Sequence, residues 1–269
     1  MVKFETEDGN SLKGALFYPS NFDPSKKYPM ITYIYENMSP KFHRYQNPSL
    51  YNGAVINSSN YTTEGYFVFF PDIEYKVNEP MVSALKCVTA AVIEVSKKPF
   101  IDQNRIGLFG HSFGGFEASY IAGRSNLFAT VVSAAGVHNL RSFHLSNAWL
   151  WSRPQMGRFF NDQFRFNAPY FEIPQKYEEN SPLTFAESIN VPFLTMTGDQ
   201  DSNINWEQSI EMYNALRILN KEHIMLIYPD EGHDLFSQEA QLDATQKYSE
   251  WFGYYLKNEK RPQWMEAFN

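Results

Sequence analysis

Six short apolar runs recur along the chain: MITYIY (30–35), YFVFFP (66–71), RIGLFG (105–110), ATVVSAA (129–135), PFLTMTG (192–198) and HIMLIYP (223–229). Runs of this length, rich in Val, Ile, Phe and Tyr, fit buried strands. Over 79–97, 113–123, 205–220 and 238–257 the apolar residues fall instead three and four apart, the spacing of helices with one buried stripe. Strands alternating with helices imply right-handed crossovers and a mainly parallel sheet flanked by helices, an α/β fold. The opening SLKGALFYPS (11–20) reads as an antiparallel edge strand. No internal repeat or low-complexity linker interrupts the pattern, so 1–269 is taken as one domain.

One stretch breaks the rhythm. Residues 138–182, HNLRSFHLSNAWLWSRPQMGRFFNDQFRFNAPYFEIPQKYEENSP, are dense in aromatics, Arg and Pro and too long for an ordinary connection. They are expected to form an aromatic-rich, lid-like insertion. A pair of surface helices covering the sheet is a compatible reading.

At the end of the third run stands Gly110-His111-Ser112-Phe113-Gly114, a G-x-S-x-G pattern followed by the helix-like FEASYIAGR. Small residues two positions either side allow a strand-to-helix turn sharp enough to hold the serine in strained backbone angles. The following helix would aim N–H groups and its positive end at the same point. A serine hydroxyl is a weak nucleophile at neutral pH and needs a histidine base oriented by a carboxylate. In this sheet architecture the chain order is Ser, acid, His, each after a strand.

Of six histidines, His43, His138 and His144 precede the acid candidates, His223 opens a strand, and His111 is expected to point elsewhere on the serine turn. His233, on the late turn YPDEGHDLF, is the base candidate. The acid should follow PFLTMTG, which leaves Asp199 and Asp201 in TGDQDSNI; spacing favours Asp201, with Asp199 capping the loop. Asp230 and Asp234 lie too close to His233 to supply a separate loop.

Composition narrows the picture. A net charge of −7 with no basic patch argues against nucleic acid as a partner. No run of about 18 apolar residues appears, so no membrane span is expected. The polar start MVKFETEDGNSLKG does not resemble a signal peptide. The single cysteine, Cys87, sits in the helix-like SALKCVTAAVIEV and reads as a buried structural thiol. Nothing in the sequence calls for a metal or cofactor, and nothing selects a compartment or an oligomeric state.

The segments TEDGNSLKGALFYPSNFDPSKKYPMITYIY, GHSFGGFEASY, SPLTFAESINVPFLTMTGDQDSNI and YPDEGH, in this order, resemble the catalytic α/β-hydrolase domain of the prolyl oligopeptidase group of serine peptidases. That group includes dipeptidyl-peptidase and acylaminoacyl-peptidase relatives. The resemblance implies a peptidase acting on short peptides through an acyl-enzyme, with Ser112, Asp201 and His233 as triad. It implies an oxyanion hole made by the Tyr35 hydroxyl and the Phe113 backbone N–H, in place of the missing HGGG segment of lipase-type esterases. It further implies that Asn203 binds a substrate carbonyl and that Val137, Leu140 and Phe143 line an apolar pocket for the residue before the scissile bond.

Two departures stand out. The group carries glycine after the oxyanion tyrosine where this chain has Glu36-Asn37, leaving Glu36 either a solvated loop carboxylate or an anchor for a substrate amine. The group's β-propeller, which normally precedes the hydrolase domain, is not among these residues, so an excised catalytic domain and a stand-alone hydrolase are both expected forms. A carboxylesterase on the same scaffold is the alternative reading, since triad and oxyanion hole serve esters equally. A silent hydrolase fold that binds a ligand is a third, disfavoured by the intact Ser, Asp and His.

Overall fold

A computed structural model describes residues 1–53 and 55–268. In chain order the first elements are β1 (Val2–Glu5), β2 (Ser11–Phe17), β3 (Tyr28–Ile34), α1 (Ser58–Thr63), β4 (Phe67–Pro71), α2 (Pro80–Ser96) and β5 (Ile101–His111). Next come α3 (Phe113–Ala122), β6 (Thr130–Ala134), α4 (Leu140–His144), the two-residue strands β7 (Asn147–Ala148) and β8 (Arg153–Pro154), α5 (Met156–Asn161) and α6 (Pro174–Glu179). The last are β9 (Phe193–Gly198), α7 (Glu207–Ile218), β10 (His223–Tyr228) and α8 (Gln238–Lys257). Eight of the strands pair in the order β1-β2-β4-β3-β5-β6-β9-β10. From β4 through β3, β5, β6 and β9 to β10 every pairing is parallel, while β2 joins β4 antiparallel. This is an α/β-hydrolase sheet.

Successive strand residues face opposite sides, and both sides are apolar. Val68 and Phe70 of β4 pack with α8 residues Trp251 and Phe252 on one face. Phe67 and Phe69 pack with Val88 and Val92 of α2 and Ile121 of α3 on the other. Double coverage is why β4, FVFFP, is apolar at every position. All ten residues of α3 are buried, so the helix behind the serine is enclosed on every side.

The expected edge strand is not at the edge. Strand β1 pairs antiparallel outside β2, in register Val2 with Gly14 through Glu5 with Ser11. Its alternation buries Val2 and Phe4 against α2 and exposes Lys3 and Glu5, a signal too short to stand out in sequence.

The 138–182 insertion is neither a pair of long helices nor a bare loop. Short helices α4, α5 and α6 and the β7–β8 hairpin wrap a second core of Phe143, Phe159, Phe164, Phe166 and Tyr177, continuous with Phe113 and Phe116 of α3. Phe159 is its hub: stacked rings lie 4.5 Å away at Phe164 and 5.5 Å away at Tyr177.

Candidate active site

Strand β5 runs straight into α3 through one residue, Ser112, whose backbone has φ 59° and ψ −120°. A side chain on either flanking glycine would collide with main chain. A Cβ on Gly110 would lie 1.9 Å from the Gly114 carbonyl oxygen, and one on Gly114 would lie 2.2 Å from that of Ile34. The strained turn is held by the Ser112 N–H donating to the Ala134 carbonyl of β6 at 2.8 Å. Phe113 opens the helix, where backbone N–H groups have no intrahelical acceptor.

The turns after β9 and β10 converge on this serine. His233 Nε2 lies 2.8 Å from Ser112 Oγ, and His233 Nδ1 lies 2.7 Å from Asp201 Oδ2. A carboxylate only accepts, so Nδ1 carries the ring proton and Nε2 is left to accept from the serine hydroxyl. The other carboxylate oxygen of Asp201 accepts the N–H groups of Asn203 and Ile204, each at 2.9 Å, and its side chain has no exposed surface. Asp199 faces away and ties the two turns together by accepting the Asp230 N–H at 2.8 Å.

His111, expected to point elsewhere, instead packs behind His233. Its Nε2 donates to the His233 carbonyl at 3.1 Å and the two rings lie 4.9 Å apart. Burial pulls its pKa down to about 4, so the ring is neutral. His138 is buried and held neutral by burial, while His223 opens β10 and meets Thr195. His144 packs edge-on against Phe159, and His43 is exposed.

Tyr35 follows β3, and its hydroxyl lies near the Ser112 side chain. Burial raises its pKa, keeping the phenol protonated as a donor. The Lys41 ammonium sits 4.8 Å from the ring centroid. Glu36 has a left-handed backbone, φ 51°, which turns the chain immediately after Tyr35. Its carboxylate, partly exposed, is engaged on both oxygens: Arg165 pairs with it at 2.5 Å and Gln163 Nε2 donates to it at 3.0 Å.

Asn203 stands beside Asp201, but its amide oxygen accepts from Arg158 at 3.0 Å. Arg158 is 6% exposed, with its guanidinium 5.8 Å from the Phe143 centroid and 5.5 Å from that of Phe164. Val137, Leu140 and Phe143 are fully buried in the insertion core. Two neighbours are not evident from sequence. Arg158 is hidden in an Arg-rich insertion, and Glu117 of α3 is fully buried with the Tyr75 hydroxyl hydrogen-bonded to it. Burial pushes the Glu117 carboxyl up to about 8. A lone Glu inside the apolar GGFEASYIA is the one available signal. Among the described residues, no group of three or more His, Cys, Asp or Glu gathers to hold a metal ion, and no helix is long and apolar enough to cross a membrane.

The family model for the prolyl oligopeptidase family matches residues 83–259, from within α2 to past α8. The chain belongs to the prolyl oligopeptidase family. Within that family it is 26% identical over 273 residues to an uncharacterized peptidase, YuxL, of Bacillus subtilis, covering 95% of this chain and 39% of the relative. It is also 26% identical over 272 residues to dipeptidyl-peptidase 5 of Porphyromonas gingivalis, covering 94% and 37%. The chain thus spans about two fifths of the length of these curated relatives. The fold matches a dipeptidyl peptidase 4 of Porphyromonas gingivalis with a TM-score of 0.77 at 20% identity, over 94% of this chain and 35% of that one. It matches an acylaminoacyl peptidase of Pyrococcus horikoshii with the same score and identity, over 98% and 43%.

Proposed function

We propose that this chain is the catalytic portion of a serine peptidase that hydrolyses short peptides through an acyl-enzyme. The unbroken series Asp201–His233–Ser112, with contacts of 2.7 and 2.8 Å, carries the proposal. Ser112 Oγ adds to the scissile carbonyl carbon as its proton passes to His233 Nε2. The carbonyl oxygen becomes an oxyanion received by the Tyr35 hydroxyl and the Phe113 N–H. His233 then protonates the departing amine, the C–N bond breaks, and water attacks the acyl-serine by the same route in reverse. Asp201 fixes the ring tautomer and stabilises the imidazolium.

Substrate contacts belong to the same proposal. Asn203, steadied by Arg158, would offer its side-chain N–H to a substrate carbonyl. Val137, Leu140 and Phe143 would form the floor of an apolar pocket that opens as Arg158 and Phe164 shift. Ser112 is only 6% exposed, which favours short, flexible peptides over folded proteins. An upstream β-propeller, as in the group the sequence resembles, would add further screening by size. The exposed Leu145, Trp149, Leu150 and Met156 on the insertion form a surface such a domain would cover.

The test is labelling with a fluorophosphonate, followed by matched panels of peptides and carboxylic esters. Label should enter the wild type and not Ser112→Ala, and peptides should be turned over. Turnover confined to esters would replace the peptidase by a carboxylesterase, and label persisting in Ser112→Ala would remove Ser112 from the role.

A further inference from the structure

A tyrosine hydroxyl has a single proton and can direct it to one acceptor at a time. As an oxyanion donor, Tyr35 must keep that proton aimed at the reacting carbonyl rather than lose it to a neighbour. Gln163, from the insertion 128 residues away in sequence, stands at the hydroxyl: its Nε2 lies 3.2 Å from the Tyr35 oxygen. The same nitrogen lies 3.0 Å from Glu36 Oε2. Because a carboxylate can only accept, Glu36 decides which end of the Gln163 amide faces inwards, and it is the NH2 end. Gln163 therefore gives a proton to the Tyr35 oxygen and cannot take one from it.

Gln163 is itself held firmly. Arg165 pairs with the other oxygen of Glu36 at 2.5 Å and donates to the Gln163 carbonyl. Its guanidinium lies 4.1 Å from the Tyr75 ring centroid. Main-chain bonds pin the segment from both sides: Asn78 N–H to the Arg165 carbonyl at 2.9 Å, and Phe166 N–H to the Phe159 carbonyl at 2.8 Å.

We propose that Gln163 is a positioning residue of the oxyanion hole, which fills the acceptor side of the Tyr35 hydroxyl so that its proton points at the developing oxyanion, with Glu36 and Arg165 as its seat. The inference rests on the acyl-transfer reading and deepens it. The insertion is part of the catalytic apparatus, because the oxyanion donor is aimed only while segment 163–165 is docked on Glu36. A hydroxyl that accepts one hydrogen bond also donates a stronger one, so Gln163 sharpens the donor as well as aiming it.

The experiment is a double-mutant cycle of Gln163→Leu and Tyr35→Phe. It is read by kcat and KM on a cleaved substrate and by the second-order rate of fluorophosphonate capture, which loads the oxyanion hole without any peptide. With Tyr35 present, Gln163→Leu should lower kcat and the capture rate about three- to tenfold, the size of one neutral hydrogen bond, with KM unchanged. In the Tyr35→Phe background it should change neither. Gln163→Asn, which keeps the amide but shortens its reach, should fall between Leu and wild type and guards against a misfolded Leu variant. Equal losses in both backgrounds, an unaltered capture rate with Tyr35 present, or a raised KM at constant kcat would each overturn the proposal. A chain that takes the label but cleaves no peptide would defeat the peptidase reading and leave this comparison intact.

Discussion

Asp199 and Asp201 stand two positions apart on one turn, yet only Asp201 reaches the imidazole; Asp199 holds the Asp230 N–H instead. If Asp201 orients His233, Asp201→Asn presents an amide to Nδ1, favours the wrong tautomer and should cost about 10⁴-fold in kcat. Asp199→Asn should cost far less, and steady-state kinetics of the two variants side by side decide the assignment. Tyr35→Phe keeps the ring under Lys41 but removes the hydroxyl proposed as an oxyanion donor. Its expected signature is a fall in kcat of about 10²–10³-fold with little change in KM, because the bond strengthens only as charge develops on the oxygen. The sequence is enough to bring attention to Ser112, Asp201 and His233, since a glycine-fenced turn and strand-end loops leave few other positions. It is not enough to find Gln163, Arg158 or Glu117. Their meaning depends on side chains more than 40 residues away, and each alone looks like an ordinary polar residue.

Elements differ in how openly they announce themselves. The six parallel strands and the four long helices are legible because burial on two faces, or on one stripe, writes a pattern over many residues. Helix α8 spans the expected 238–257. The short helices α4, α5 and α6 are not legible. With five or six residues each, they are set by aromatic packing rather than by periodicity or propensity. That makes Phe159 the element-scale test. Phe159→Ala would empty the centre of a ring cluster and should cost about 3–5 kcal/mol, measured as a fall in the urea midpoint. Because the same cluster carries segment 163–165, this variant should also lose fluorophosphonate reactivity at denaturant concentrations below its unfolding transition.

For the molecule as a whole, the fully enclosed Glu117 links stability to pH. Its carboxyl faces the Tyr75 hydroxyl, Glu36 and Arg165, and burial outweighs them in raising its pKa to about 8. The folded chain therefore binds this proton more tightly than the unfolded chain does. Below the ordinary value near 4.5 both states are protonated and the group costs nothing. As pH climbs from there through about 8, the unfolded chain releases the proton first, and stability falls. Glu117→Gln removes the titration, so Tm of the variant minus Tm of the wild type should grow between pH 5 and pH 8. Each tenfold difference in proton affinity between the folded and unfolded chain is worth about 1.4 kcal/mol. Each kcal/mol in turn moves Tm by about 2–4 °C for a chain of this size, so the change should reach several degrees in calorimetry.

The three groups that meet at the serine are strung along the chain in a telling order. Ser112 and His233 are 121 residues apart, with Asp201 between them and the base on the turn after the last strand. A ribosome adding about 5–20 residues per second therefore needs roughly 6–24 s after decoding Ser112 before it supplies the imidazole. Throughout that interval the nascent chain holds a serine with no base to activate it. On the proposed triad, hydrolytic power arrives only with the turn after β10, so a chain cut short before His233 is released inert.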